Sequence, residues 1–261
     1  MTQLIFLGVG AITPARPGDH TAMLIHHGPH RILLDAGPAV MMQLDRAGVS
    51  PDQITHIYFS HQHGDHILGS PIFLFYHRMR YLMAAQPVLE AWLMLMEVVY
   101  PSYLSRVADE LAFLFLEEGK SEPVPAADDI SITLARAAHA PEVPAYAARF
   151  DFAASDAAPG FSIVYSGDTR PSQEVVHLAR GADLLIHEAT AAERLGQNTA
   201  GVHSSAREAG RIAAEADVKA LALVHRLAGD PEIWRQEAGE HFSGPVFVPV
   251  AGDKLTLPFD S

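Results

Sequence analysis

Thr55-His56-Ile57-Tyr58-Phe59-Ser60-His61-Gln62-His63-Gly64-Asp65-His66 is the stretch from which the rest of the chain is read, and its last six residues follow the pattern H-x-H-x-D-H. A run of alternating and β-branched residues reads as strand as far as Ser60. Three histidines and a carboxylate therefore leave a strand end together, on a turn at Gly64, a residue free to take backbone angles that others avoid. Imidazole nitrogen and carboxylate oxygen suit zinc, manganese or iron. Four such donors in six residues would leave polar groups uncompensated at a sheet edge unless a cation organised them. The spacing predicts a metal-binding loop. His61 and His63, two apart, can point the same way from extended backbone, whereas the neighbours Asp65 and His66 are expected to diverge, which suggests two metals rather than one. A solvated, His-rich loop is the plain alternative, and the apolar runs at 54–59 and 67–75 on either side argue against it.

The segment resembles the signature of the metallo-β-lactamase-fold hydrolases. His63 sets it apart from the di-iron flavoproteins of that fold, which would carry Glu there. The resemblance implies further ligands downstream in the order His, Asp, His, and the chain offers His139 after a strand at 130–137, Asp168 in Ser166-Gly167-Asp168-Thr169 after a strand at 161–165, and His225 after a strand at 220–224. His187-Glu188-Ala189-Thr190 and His203-Ser204-Ser205 resemble two motifs of the ribonuclease Z group, with Ser205 in place of Thr. In that group the Glu and the second His form a proton relay. A carboxylate that keeps an imidazole charged until it donates to a leaving oxygen makes a plausible general acid. Taken alone, His203 would read as a helix-start residue beside a capping Ser204, Asp168 as a turn residue, and Asp35 in Asp35-Ala36-Gly37 as another. The resemblance instead gives Asp35 the task of hydrogen-bonding a metal-binding histidine.

With 261 residues, 49% of them hydrophobic, the chain suits one large domain or two small ones, and a single domain over 1–261 is the simpler reading. There is no cysteine, so any transition metal must be held by His and carboxylates, and an intracellular, cytoplasmic location is expected. The opening residues lack the basic start of a signal peptide, and no apolar run reaches membrane-spanning length. The formal charge is -13, from 18 basic and 31 acidic residues, with no basic run. Such a chain is a poor match for a large polyanion.

Short strands at 4–7, 22–26 and 31–34 predict an opening meander, followed by a helix over 39–47 and later a strand at 182–186, a helix over 206–216 and a closing strand at 252–257. Between 73 and 118 the chain is rich in Met and aromatic residues and is read as a helical insertion after the metal loop. Its stripes are expected as core, with a cap over the site or a dimer face as the alternative. His20, His26, His27, His30, His56, His77, His177 and His241 show no ligand spacing and are read as surface or packing residues.

The resemblance thus implies a four-layer αββα sandwich with its site at one edge of two sheets. It implies one divalent ion, probed first as Zn with Mn or Fe as alternatives, on His61, His63, His139 and Asp168, and a second on Asp65, His66, Asp168 and His225. Asp65, Glu188 and His203 are the catalytic candidates, with a metal-bridging hydroxide as attacking group. Only 29 positions separate His139 from Asp168, which leaves little room for the tRNA-binding arm of ribonuclease Z, and the loop after the first glycines keeps one Arg and gains an Asp. The expected activity is a phosphodiesterase acting on a small anionic phosphodiester, possible partners being a second copy of the chain but not nucleic acid. Arg16, Arg149, Arg170 and Arg226 are candidates to grip the anion. A tRNA 3′ endonuclease, an arylsulfatase and a lactone hydrolase are the enzymatic alternatives. The alternative of another class is a non-catalytic metal-binding scaffold.

Overall fold

The computed structural model describes residues 2–76, 81–107, 111–155 and 159–259. His77, Arg78 and Arg80, which break the apolar segment, and Met79 within it lie outside them. The first half runs β1 (Thr2–Gly8), β2 (Ala22–His27), β3 (His30–Leu34), α1 (Val40–Arg46), β4 (His56–Tyr58), α2 (Gly64–Ile67), α3 (Phe73–Tyr76), β5 (Tyr81–Ala85), α4 (Gln86–Val99), α5 (Leu104–Val107) and β6 (Ala112–Leu116). The second runs β7 (Ser121–Val124), β8 (Ala127–Ala137), β9 (Ala145–Phe152), β10 (Phe161–Tyr165), α6 (Gln173–Ala179), β11 (Leu184–Glu188), α7 (Ala206–Glu215), β12 (Leu221–Val224), α8 (Pro231–Gly239), β13 (Val246–Phe247) and β14 (Lys254–Leu257).

These strands make two seven-stranded sheets, ordered β14-β1-β2-β3-β4-β5-β6 and β13-β12-β11-β10-β9-β8-β7. Each sheet is an antiparallel meander joined to three parallel strands. Parallel neighbours need crossovers, and those crossovers put helices on the outer faces. One apolar cluster fills the space between the sheets and continues under α1 and α4, with Trp92 of α4 fully buried. A second lies between the second sheet and α6, α7 and α8, centred on Trp234. The layers are therefore helix, sheet, sheet, helix, and the αββα sandwich is the fold. β14 returns to pair with β1, so the end of the second half closes the sheet of the first.

The segment 73–118 carries α4 as a helix but also contains β5 and β6, which extend the first sheet in parallel from β4. β5 is buried along most of its length and so lacks the alternating pattern, while the edge strand β6 is an apolar run that stays partly exposed, so both runs merge in the sequence with the helix between them. α4 buries Val88, Leu89, Trp92 and Met96 while Met94 and Val98 face solvent, so its stripe is mainly core.

The parallel strands end at one edge of the sandwich, and the loops that follow them build the site. Gly64 opens α2 with ordinary backbone angles, and a Cβ there would meet only the movable Leu68 side chain, so the turn does not require glycine. Gly167 does require it, with φ of +58° and with Ser60 and the Tyr146 carbonyl about 3 Å from where a Cβ would stand.

Candidate metal centre

All seven expected ligands, together with Glu188 and His203, come together at that edge. His61 and His63 follow β4, Asp65 and His66 lie on α2, and His139, Asp168, Glu188 and His225 stand at the ends of β8, β10, β11 and β12. His203 precedes α7. Donor atoms of His61, His63, His139 and Asp168 all lie within 4.8 Å of one another, as do those of Asp65, His66 and His225, and of Asp168, His203 and His225. Asp65 and His66 converge rather than diverge, with Asp65 Oδ2 3.7 Å from His66 Nε2. On a helical turn a long imidazole can reach across to its neighbour's carboxylate, which extended backbone would have prevented.

The proton positions follow from the bonds behind the cluster. Asp35 accepts from Ser60 N at 2.8 Å and, on its other oxygen, from Ser60 Oγ, Tyr165 Oη and His66 Nδ1, each at 2.7 Å. The expected partnership of Asp35 with a metal-loop histidine is therefore present. His139 donates Nδ1–H to the Val202 carbonyl at 2.9 Å. With their Nδ1 atoms occupied, His66 and His139 direct Nε2 lone pairs inward. His63 contributes Nδ1, 3.1 Å from Nε2 of both His61 and His139.

Such a set fits a cation. Three ring nitrogens around a common point at metal–nitrogen distances of about 2 Å stand roughly 3.3 Å apart, close to the spacing seen. His66 Nε2 and Asp168 Oδ1 are buried with no hydrogen-bond partner, as atoms aimed at an ion would be. Burial works to lower the His66 pKa, but the Asp168 and Asp35 carboxylates raise it well above the ordinary histidine value. Burial likewise works against an ionised Asp168, and the surrounding His225 and His66 hold its carboxyl well below the usual range. These carboxylates demand positive charge at the centre. The donors are nitrogen and oxygen only, which suits a divalent transition metal.

At the rim, His203 Nδ1 is 2.8 Å from Glu188 Oε1. Burial would lower the His203 pKa, but the hydrogen bond and charge of Glu188 push it up to about 9. Glu188 is fully buried and is held further by Thr169 N at 2.9 Å and Thr190 Oγ1 at 2.7 Å. The cap of α7 is Ser205, with Glu208 closing the box, while Ser204 Oγ donates to the Thr169 carbonyl and ties the His203 loop to the Asp168 loop.

Two of the four arginines are committed elsewhere. Arg149 pairs with Asp151 and donates to the carbonyls of Leu178 and Arg180 behind α6, so it does not grip substrate. Arg226 is buried against the Trp234 ring and donates to the Pro249 carbonyl. Arg16 lines a small cavity at the loop after β1, and Arg170 is exposed beside Ala138. His56, read as surface or packing, is buried, stacks on Tyr81 and meets the Pro125 carbonyl at 2.8 Å. Ser60 and Tyr165 are isolated hydroxyls that carry no spacing signal in the sequence, and Thr190, though it closes the motif His187-Glu188-Ala189-Thr190, has no role assigned by the motif alone.

The profile described as Anti-Pycsar protein Apyc1 matches residues 2–238. The chain belongs to this family. Among proteins similar to this Apyc1-family chain, ribonuclease Z of Natronomonas pharaonis is 30% identical over 313 aligned positions, covering 98% of this chain and 98% of that protein. The fold matches the metallo-β-lactamase fold protein YhfI from Bacillus subtilis, with a TM-score of 0.81 at 24% identity, covering 98% of this chain and 100% of that one. It also matches human tRNase Z, short form, with a TM-score of 0.73 at 21% identity and coverage of 98% and 100%. The Apyc1-family chain is a metal-dependent hydrolase of the metallo-β-lactamase fold, close to the ribonuclease Z group. Relatives named for a ribonuclease weigh against the expectation that nucleic acid is not its partner. No helix among the described residues is long and apolar enough to cross a membrane.

Proposed function

We propose that the chain is a dinuclear phosphodiesterase acting on a small phosphodiester. His61, His63, His139 and Asp168 would hold one cation, and Asp65, His66, His225 and Asp168 the other, with zinc the first choice for this donor set and manganese or iron the alternatives. Cations bound there supply a water of lowered pKa and positive charge beside the phosphoryl oxygens. The rest of the chemistry belongs to the chain. Asp65 Oδ2, 3.3 Å from His225 Nε2, is placed to accept a proton from the attacking water. Glu188 keeps the His203 imidazole charged and fixes its Nδ1, leaving Nε2 to face the substrate. As the P–O bond breaks, the leaving oxygen takes the proton from His203 Nε2 and departs neutral.

The observation that carries this reading is the pairing of inward-facing nitrogens and carboxylates with a hydrogen-bonded His203–Glu188 pair at their rim. A scaffold that merely held metal would need no such donor. Small size of substrate is supported by the brevity of the chain between ligands: seven residues link β8 to β9 and eight link β9 to β10. The 313 positions aligned to the Natronomonas protein hold only about 256 residues of this chain (98% of 261), so the relative carries insertions that this chain lacks.

A metal-loaded preparation assayed on bis(4-nitrophenyl) phosphate, a cyclic nucleoside monophosphate, an aryl sulfate, a lactone and a tRNA with a 3′ trailer tests the proposal. Turnover of the diesters with little cleavage of the tRNA is the expected result. Cleavage of the tRNA with inert small diesters establishes the second reading, a tRNA 3′ endonuclease, which the names of the relatives favour.

A further inference from the structure

Two buried hydroxyls behind the metal centre make the same pair of contacts. In the loop leaving β4, Ser60 Oγ donates to Asp35 Oδ2 at 2.7 Å and lies 3.0 Å from His61 Nδ1. In the loop leaving β11, Thr190 Oγ1 donates to Glu188 Oε2 at 2.7 Å and lies 2.8 Å from His225 Nδ1. A hydroxyl has one proton. Once that proton is committed to a carboxylate, the oxygen can only accept from the imidazole, so the histidine proton must sit on Nδ1 and the Nε2 lone pair is left inward.

For His225 the alternative is locally attractive. Its Nε2 lies 3.3 Å from both Asp65 Oδ2 and Asp168 Oδ2, so an Nε2–H tautomer would donate to two carboxylates and obstruct the place a cation needs. His61 is under less pull, with Asp168 Oδ2 3.7 Å from its Nε2. We propose that Thr190 is a positioning residue that enforces the Nδ1–H tautomer of His225 and, through the same hydroxyl, steadies Glu188 against His203. One side chain thereby couples cation binding to the proton donor. This inference rests on the metal-centre reading and adds to it a residue outside the ligand set.

The test compares wild type with Thr190→Val and Thr190→Ser by chelator competition for Zn(II), by kcat and KM on bis(4-nitrophenyl) phosphate, and by nitrogen-15 NMR of the histidine rings in the Zn(II)-loaded protein. Thr190→Val should weaken one of two bound ions by about 10–100-fold and lower kcat with KM little changed. Thr190→Ser, which keeps the hydroxyl, should restore both. A purely structural role would lower thermal stability without separating the two ion affinities. Wild-type ion affinities and kcat in Thr190→Val would overturn the inference. So would an Nε2–H signal for His225 in the loaded wild type, a measurement that stands even if the valine variant does not fold. Wild-type protein that takes up no Zn(II) overturns the metal centre itself, and this inference with it.

Discussion

Asp168 is the side chain on which both ligand groups converge, and replacing it has the largest expected consequence. Asp168→Ala should cut kcat/KM by at least about three orders of magnitude, some 4 kcal/mol of barrier, and lower the bound-metal stoichiometry. Circular dichroism should be unchanged, and a variant with full metal content and wild-type rate would refute the assignment. His203 has a narrower role. His203→Ala should keep its metal and lose about 10²–10⁴-fold on diesters with alkoxide leaving groups, but far less on 4-nitrophenyl esters, whose phenolate departs without a proton. Equal losses on the two substrate types would remove His203 from the leaving-group side. The candidate ligands are legible because they follow strand ends in a fixed order, four of them packed into the six residues 61–66 after β4, and Glu188 because it lies within a four-residue motif. Thr190 stands in the same motif, but what it and Ser60 do is not legible there, since each acts on a carboxylate and an imidazole that only the folded chain brings to it.

Among the elements, β4 offers the clearest test of how the sheets are joined. Its His56 crosses from the first sheet to the Pro125 carbonyl that follows β7 in the second. Burial pushes its pKa down to about 4, against the opposing pull of that hydrogen bond. In the unfolded chain the imidazole titrates near 6.5. Between these values the unfolded state binds a proton that the folded state refuses, so stability falls as pH drops through the window. The contribution is at most about 3 kcal/mol. His56→Gln keeps a donor for Pro125 but cannot titrate, so its urea midpoint should fall less than that of wild type between pH 7 and 4.5. Parallel loss in both proteins would show that His56 takes no part. The opening meander and the strands leading to ligands were readable from alternation and turn residues, but β5, β6, β9, α6 and α8 were not. The start of α8 did leave a signal, in Asp230 capping a helix with Pro231 in its first turn.

On the scale of the molecule, the site sits where two sheets meet and draws ligands from both. A cation bound there ties the halves together. At free zinc one hundred times its Kd, the folded state gains about 2.7 kcal/mol, which in a chain of this size raises Tm by roughly 5–10 °C. Melting the zinc-loaded protein before and after chelation measures this, and an unchanged Tm would mean that the ligands do not hold metal in solution. The sandwich itself was recoverable from the sequence through its ligand order more than through its strands. Two residues of the site, Asp35 and His225, hold φ angles of 56° and 53°, in a region where side-chain-bearing residues are uncommon. Such angles cost a side-chain-bearing residue of order 1–3 kcal/mol, less for Asp and His, which enter this region more often than most residues, and asparagine or glycine would tolerate them at least as well. A descendant that abandoned catalysis would be free to relax there, and drift toward those two residue types at 35 and 225 would be the earliest mark of an inactive branch.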